Sequence, residues 1–451
     1  MGYDNQLAMS DQRPIISDPT STPATTGPVI GDERIGSLDI LRGVAILGIL
    51  VMNIYAFAMP FPAYANPLLM GGTDTLNLGT WFFTHILFDQ KFLSVFAMLF
   101  GAGIILMTGR AEAKGAKFSR IYYRRQFFMM LLGAIHAYFL WFGDILFMYA
   151  AVGMFAYFFR KLAPRSLLIL ACVLLSVHLL LSHGMASQMG KTITQVDEVT
   201  ELQQVGETLT TKQEKLLEDW EEMRAFMAPD AEVVQKDVDI HQGSYVDITT
   251  HRVPVALMMQ VFGLLFFGIW RVTALMLFGM ALTKTGVLSA ERPTDFYRKM
   301  MLICYGIGLP LTVYSAIDLS AHGFDPLYAM QYGSLANYFG SIIVGLGHIG
   351  AVMLLIKTGF VQRMLGRFAA VGRMALTNYL MHSVILTTAF YGYGLGLYGE
   401  IPRFWQMGFV VAVIALQLGL SPWWLARYRF GPVEWLWRSL TYWQRLPMRR
   451  Y

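Results

Sequence analysis

From Leu38 onward the chain alternates long apolar runs with short polar stretches that carry glycine, proline and charge. Runs of about 18 apolar residues or more are long enough for a helix to cross roughly 30 Å of hydrocarbon. The pattern predicts an all-α, polytopic membrane protein of about ten transmembrane helices with a helical extracytoplasmic insert. The predicted helices run from about Ser37 to Phe57, Gly79 to Thr108 and Gln126 to Trp141. A fourth follows the Phe142-Gly143-Asp144 turn and ends at Phe159, and a fifth ends near His183. The last four run from about Met301 to Leu319, Ala336 to Ile356, Ala375 to Leu395 and Phe404 to Leu425.

The sixth needs an argument. Apolar sequence from Val253 to Thr283 would make a helix of about 46 Å, too long for an upright crossing. Two helices would fit the length poorly and would invert everything downstream. One tilted or kinked helix keeps the later basic loops on the same side as the earlier ones.

Three polar segments fall outside these runs. Residues 1–33 are rich in Pro, Ser, Thr and Asp and lack apolar periodicity, so they read as a disordered tail. No apolar core follows Met1, so no cleavable signal peptide is expected. Residues 187–252 hold 14 acidic and 6 basic residues and read as an extramembrane insert. Within it, Leu216, Leu217, Trp220 and Met223 share one side of a predicted helix. Residues 444–451 form a basic tail.

Composition agrees with the pattern. The chain has 451 residues, 55% hydrophobic and only 14% charged, whereas soluble domains carry about 25% charged residues. The net charge of +5 sits on membrane-flanking loops and is no nucleic-acid signal. The loops that follow even-numbered helices, with the C-terminal tail, hold 23 Lys and Arg, against Arg403 alone in the short loops opposite. That asymmetry places the basic loops and both termini in the cytoplasm, in a bacterial inner membrane. The two cysteines, Cys172 and Cys304, lie in apolar runs and offer no disulfide framework or metal site. No phosphate-binding GxxxxGK[ST] loop is present, which argues against an ATP-driven transporter.

Ionisable groups inside membrane helices are costly and normally face a partner or a cavity. Asp39 and Arg42 are neighbours on one face of the first helix, and Asn53 returns to that face about three turns on. His85 and Asp89 are four apart and can share a hydrogen bond; Lys91 lies too deep to reach water easily. His136 and Asp144 face each other across a hairpin, the arrangement that orients an imidazole as a general base. A hydrogen bond that merely closes the hairpin is the plainer alternative. Arg271 requires a partner, and Asn378 and His382 share a face. His348 lies among glycines that suggest close packing. No histidine pair has spacing that demands a metal.

Three stretches carry a resemblance: SLDILRGVAILGILVMNI with KFLSVFAMLFGAG, YYRRQFFMMLLGAIHAYFLWFGDILFMYAAVG, and GRMALTNYLMHSVI with GPVEWLWRSLTY. They resemble the YeiB family of bacterial membrane proteins, whose C-terminal half is the domain of unknown function 418. That family is similar to transmembrane acyltransferases such as heparan-alpha-glucosaminide N-acetyltransferase. Asp39, Arg42, Asn53 and Asp89 stand at the shared positions. The resemblance implies an acyl donor, acetyl-CoA or another acyl-CoA, reached from the cytoplasm, and a glycan, lipid or small-molecule acceptor outside. Arg124, Arg125 and Arg373 would hold the coenzyme phosphates. His136 would act as base, with Asp144 orienting it and Asn53 polarising. Trp141 and Tyr149, with Asp39, Arg42, His85, Asp89, Lys91, Arg271, Asn378 and His382, would bind substrate. One departure is that no histidine lies between Asn53 and His85, where the lysosomal enzyme has its own; Tyr64 falls there. A transporter or lipid flippase is the alternative, and a non-catalytic scaffold a third. The lipid bilayer is the surrounding partner, and a homodimer through small-residue surfaces is a further expectation.

Overall fold

The computed structural model describes residues 36–113 and 118–450; the polar tail, 1–33, lies outside them. Among the described residues there is no strand, and seven helices are long and apolar enough to cross a membrane. The first is α1 (Gly36–Ala58). The second is a broken pair, α2 (Thr75–Leu87) and α3 (Lys91–Ala113). Two shorter rods, α4 (Ser119–Phe139) and α5 (Leu146–Ala156), form a hairpin. The third long helix is α6 (Pro164–Gln204). The insert contributes α7 (Thr211–Met227) and α8 (Ala231–His241), and α9 (Tyr245–Phe262) then continues into α10 (Thr273–Lys284). After α11 (Thr294–Ala321) comes a single turn, α12 (Pro326–Tyr328), and then α13 (Leu335–Thr358). The chain closes with α14 (Gln362–Arg373), α15 (Ala375–Phe390), α16 (Arg403–Arg427) and α17 (Pro432–Tyr442). Counting α4, α5 and α15 with the seven gives about ten rods, as the hydropathy pattern predicts.

α1 is the axis. Apart from the face that carries Asp39, Arg42 and Asn53 it is apolar, and 19 of its 23 residues are buried, as expected of a helix surrounded by others. Small residues let its neighbours reach the backbone. A Cβ on Gly43 would stand 2.0 Å from the Phe368 carbonyl oxygen, and one on Gly372 would stand 1.8 Å from that of Asp39. α1 and α14 therefore touch main chain to main chain. α3 and α10 do the same through Gly101 and Gly279.

Four expectations need correcting. The second predicted helix is not continuous: it breaks at Phe88–Gln90, where Gln90 takes a left-handed φ of 62°. The predicted fifth helix and the start of the polar segment at 187 are one element: α6 runs unbroken through 41 residues to Gln204, about 60 Å. The fifth predicted helix therefore does not end near His183. The polar stretch around Arg363 and Arg367 is no plain loop; it folds as the amphipathic α14.

Two other expectations hold. The run from Val253 is one helical rod, Tyr245–Lys284, with a wide π-type stretch at Gly263–Val272. In α7, Leu216, Leu217, Trp220 and Met223 are half-buried, as are Gln213, Ala225 and Met227, while the charged positions are exposed.

Candidate functional site

The α4–α5 hairpin brings His136 and Asp144 together. Gly133, one turn before His136, leaves the gap that Asp144 fills: a Cβ there would stand 2.7 Å from Asp144 Oδ1. Asp144 Oδ1 accepts the Phe147 N–H at 2.8 Å and so caps the first turn of α5. Its Oδ2 lies 2.7 Å from His136 Nδ1. Both side chains are only 1% exposed. On the other side of the ring, His136 Nε2 lies 2.7 Å from Ser383 Oγ on α15. One turn earlier on α15, the Tyr379 ring stands 5.2 Å from the imidazole. Its hydroxyl accepts from Ile145 N–H and donates to Gly143 O, so it is fixed to the hairpin.

Tyr379 is also a wall of a cavity of about 240 Å³ among α1, α3, α4, α5, α14, α15 and α17. Its lining includes Phe96, Phe100, Met107, Met129 and Tyr149. Its polar rim holds Asp39, Arg42, Arg125, Arg373, Glu434 and Arg438. Arg42 Nη1 donates to Asp39 Oδ1 at 3.0 Å. Arg125 is held flat on the Trp437 indole, 3.7 Å from the ring centre, while the indole N–H donates to the Arg125 carbonyl at 2.9 Å. Glu434 caps α15: Oε1 accepts the N–H groups of Leu376 and Thr377, and Oε2 accepts the Thr377 hydroxyl. Four guanidinium groups converge on one apolar shaft, which suits a ligand with anionic groups at one end and a chain behind them.

A second buried polar cluster lies at the break between α2 and α3. Lys91 donates to the His85 carbonyl oxygen and to Asn337 Oδ1, each at 2.6 Å. Asn337 donates onward to Asp89 Oδ2 at 2.8 Å. His85 Nδ1 stands 3.5 Å from the same oxygen, and Tyr64 donates to Asp89 Oδ1 at 3.2 Å. The tyrosine at the spacing where a histidine was expected is thus tied to the helix-break carboxylate. Among the described residues, His85 Nε2 is buried without a hydrogen-bond partner.

The other candidates are placed elsewhere. Arg271 finds its partners in Ser341 Oγ at 2.8 Å, the Tyr338 carbonyl and the Tyr338 ring. Asn378 and His382 do share a face, but it points to α16, where they meet Ser421 and Gln417. Neither lines the cavity. Arg124 lies over the Trp443 ring and is not part of the rim. Asn53 is half-buried and also outside the cavity lining. Trp141 stacks on Phe57, 4.0 Å between ring centres, and its indole N–H donates to the Ala56 carbonyl. His348 donates from Nε2 to the Leu87 carbonyl, and its Nδ1 shares a hydrogen bond with the Tyr305 hydroxyl, amid close helix packing. Arg403 is 2% exposed, spread over the Tyr55 ring and donating to the Ala63 carbonyl.

Sequence reasoning missed Ser383, Arg438 and Glu434. A serine in an apolar helix and charges in a C-terminal tail give no local signal. Only the aromatic run WLWRSLTYW hinted that α17 packs against something.

These features define a multi-pass helical membrane protein with a buried Asp-His pair above an arginine-rimmed cavity. Residues 282–444 match the family described as Protein of unknown function (DUF418). The chain is 32% identical over 438 residues to YxaH of Bacillus subtilis (strain 168), covering 92% of this chain and 97% of that one. It is 32% identical over 419 residues to YeiB of Escherichia coli (strain K12), covering 91% and 96%. The protein belongs to the YeiB family. No solved structure matches it.

Proposed function

We propose that the protein is an integral-membrane acyltransferase that takes an acyl group from acyl-CoA at its arginine-rimmed end and passes it to a glycan, lipid or small acceptor toward the opposite face. The observation that carries the reading is the alignment of three things: the arginine rim, the apolar shaft, and His136 behind Tyr379. Arg125 and His136 lie on the same helix, eleven residues or about 16 Å apart. An extended pantetheine arm spans a similar distance. About 240 Å³ is less than the roughly 300–1,000 Å³ of a drug-sized pocket. It suits a slender arm, with the nucleotide left at the rim. The basic loops share the rim's end of the bundle, so that end is the cytoplasmic one in this reading.

The chemistry asked of the site is modest. His136, held in one tautomer by Asp144, accepts a proton from the attacking group. The guanidinium groups bind the phosphates at the rim, and the apolar shaft directs the thioester toward His136. The test is a thermal shift of the detergent-purified protein with acetyl-CoA and palmitoyl-CoA, since a ligand of the folded state raises the melting temperature. Saturable stabilisation by either supports the reading; no stabilisation by any acyl-CoA sinks it.

One observation favours a transporter instead. The break at Phe88–Gln90 puts Asp89 and Lys91 where a discontinuous helix would coordinate a translocated solute. In that reading substrate-dependent proton or solute flux would appear in proteoliposomes without acyl-CoA.

A further inference from the structure

We propose that Ser383 is a catalytic nucleophile that carries the acyl group between donor and acceptor; the inference rests on the acyltransferase reading. Asp144, His136 and Ser383 form a continuous chain with two 2.7 Å links. Their order matches the acid, base and nucleophile of a serine relay, which is recognised by geometry and not by fold or sequence position.

With Asp144 taken as ionised, the distances fit one arrangement of protons. Asp144 as a carboxylate only accepts, and it already accepts the Phe147 N–H at Oδ1. Its Oδ2 then takes the N–H of His136 Nδ1. That leaves Nε2 as an acceptor, so the Ser383 hydroxyl donates to it. This is the protonation state in which an imidazole can remove a proton from a serine. The three groups sit on different elements, with 247 residues between His136 and Ser383. His136 and Ser383 are each 1% exposed, in a region where water would compete with an acceptor for an acyl ester. Tyr379, one turn before Ser383, separates them from the cavity. That ring, held to the hairpin through its hydroxyl, must swing aside before a thioester can reach Oγ.

The step balances without an oxidant or reductant. Ser383 Oγ attacks the thioester carbonyl carbon of the acyl-CoA while His136 Nε2 takes the hydroxyl proton. The tetrahedral intermediate collapses, the carbon–sulfur bond breaks, and the coenzyme thiol leaves with that proton. An ester on Ser383 remains. The hydroxyl or amine of the acceptor attacks the ester carbonyl and gives its proton to His136. The Ser383 oxygen then leaves and recovers the proton.

A covalent carrier predicts coenzyme release and a labelled protein before any acceptor is added. The purified full-length protein is incubated with radiolabelled acetyl-CoA alone, quenched in acid, and mapped by peptide mass spectrometry. The expected result is one acetyl group on Ser383, absent in S383A and strongly reduced in H136A. The conservative S383C variant should retain a label, now as a hydroxylamine-sensitive thioester, which shows that the fold persists. Saturable acetyl-CoA binding with no adduct on Ser383 overturns this inference and leaves the acyltransferase reading standing. Failure to bind acetyl-CoA or palmitoyl-CoA overturns both.

Discussion

Lys91 and Asn337 meet through a 2.6 Å hydrogen bond although they are 246 residues apart in sequence. Asn337 also donates to Asp89, so one amide bridges an ammonium and a carboxylate that do not touch directly. All three side chains are buried. Removing the bridge leaves two buried charges short of partners, and breaking such a set typically costs about 3–5 kcal/mol. Asn337→Ala should therefore destabilise the protein by about 3 kcal/mol, read as a lowered midpoint of denaturant unfolding in detergent. Asp89→Asn combined with Lys91→Met removes both charges and should cost less than Asn337→Ala. The opposite ranking would show that the cluster is not an electrostatic unit.

The arginine rim can be dissected by binding. Arg125 and Arg438 line the cavity, whereas Arg124 lies outside it. A hydrogen bond to a charged group is worth about 1.5–3 kcal/mol, or roughly tenfold or more in affinity. Arg125→Ala and Arg438→Ala should each weaken acetyl-CoA binding at least about tenfold, measured by titration calorimetry. Arg124→Ala should stay near wild type. Equal losses from all three would point to a diffuse surface attraction and not to this cavity.

Backbone contact between α1 and α14 gives a third test. A Cβ at Gly372 would overlap the Asp39 carbonyl at 1.8 Å, and main chain cannot rotate away as a side chain can. Gly372→Ala must push α14 off α1, carrying Arg373 away from Arg42. The expected outcome is a folded protein with a lower melting temperature and loss of acetyl-CoA stabilisation. Gly366→Ala on the same helix meets nothing within 4 Å and serves as the control. If the two variants behave alike, the close approach does not shape the cavity.

A pH effect is expected outside the membrane. Burial acts to raise the Asp237 carboxyl, but hydrogen bonds from His241, His251 and Tyr398 outweigh it and hold the group well below its ordinary 3.8. The His251 Nε2 and Tyr398 hydroxyl contacts are 3.2 and 2.9 Å. A carboxyl whose folded value is depressed adds stability that is fully present above its unfolded value. That stability fades as pH falls below about 3.8 toward the folded value. The protection factors of the α8 amides, corrected for the pH dependence of intrinsic exchange, should therefore fall on acidification through that range. In Asp237→Asn the acid-dependent part should vanish. An unchanged acid profile in that variant would assign the effect to other groups.

The sequence spoke clearly where one segment settled the matter by itself. The apolar run from Val253 could be read as a single rod because charge asymmetry forbade two helices. His136 and Asp144 were legible as a pair because only a tight hairpin separates them. What depended on distant packing was hidden. Gln90 has no glycine or proline signature, so the polar run Asp89-Gln90-Lys91 read as buried groups within one helix and not as a break. Ser383 sits in the run MHSVILTT, where a serine normally bonds to its own helix. Asn378 and His382 were correctly assigned to one face, but which helix that face meets cannot be read from period alone. Arg124 and Arg125 are adjacent in sequence and about 100° apart around the helix, so only one of them can face the shaft.

The cavity draws its walls from Leu38 near one end of the described chain and from Tyr442 near the other. Between those residues lie roughly 20–80 s of ribosome time at about 5–20 residues/s. Until α17 emerges, α15 lacks the Glu434 cap on its first turn, and the shaft lacks the Trp437 face on which Arg125 lies. A nascent chain already threaded through the bilayer is therefore unable to form this site. A ribosome that stalls short of Glu434 would leave behind an assembled bundle without one wall, and no such fragment would have a closed donor chamber.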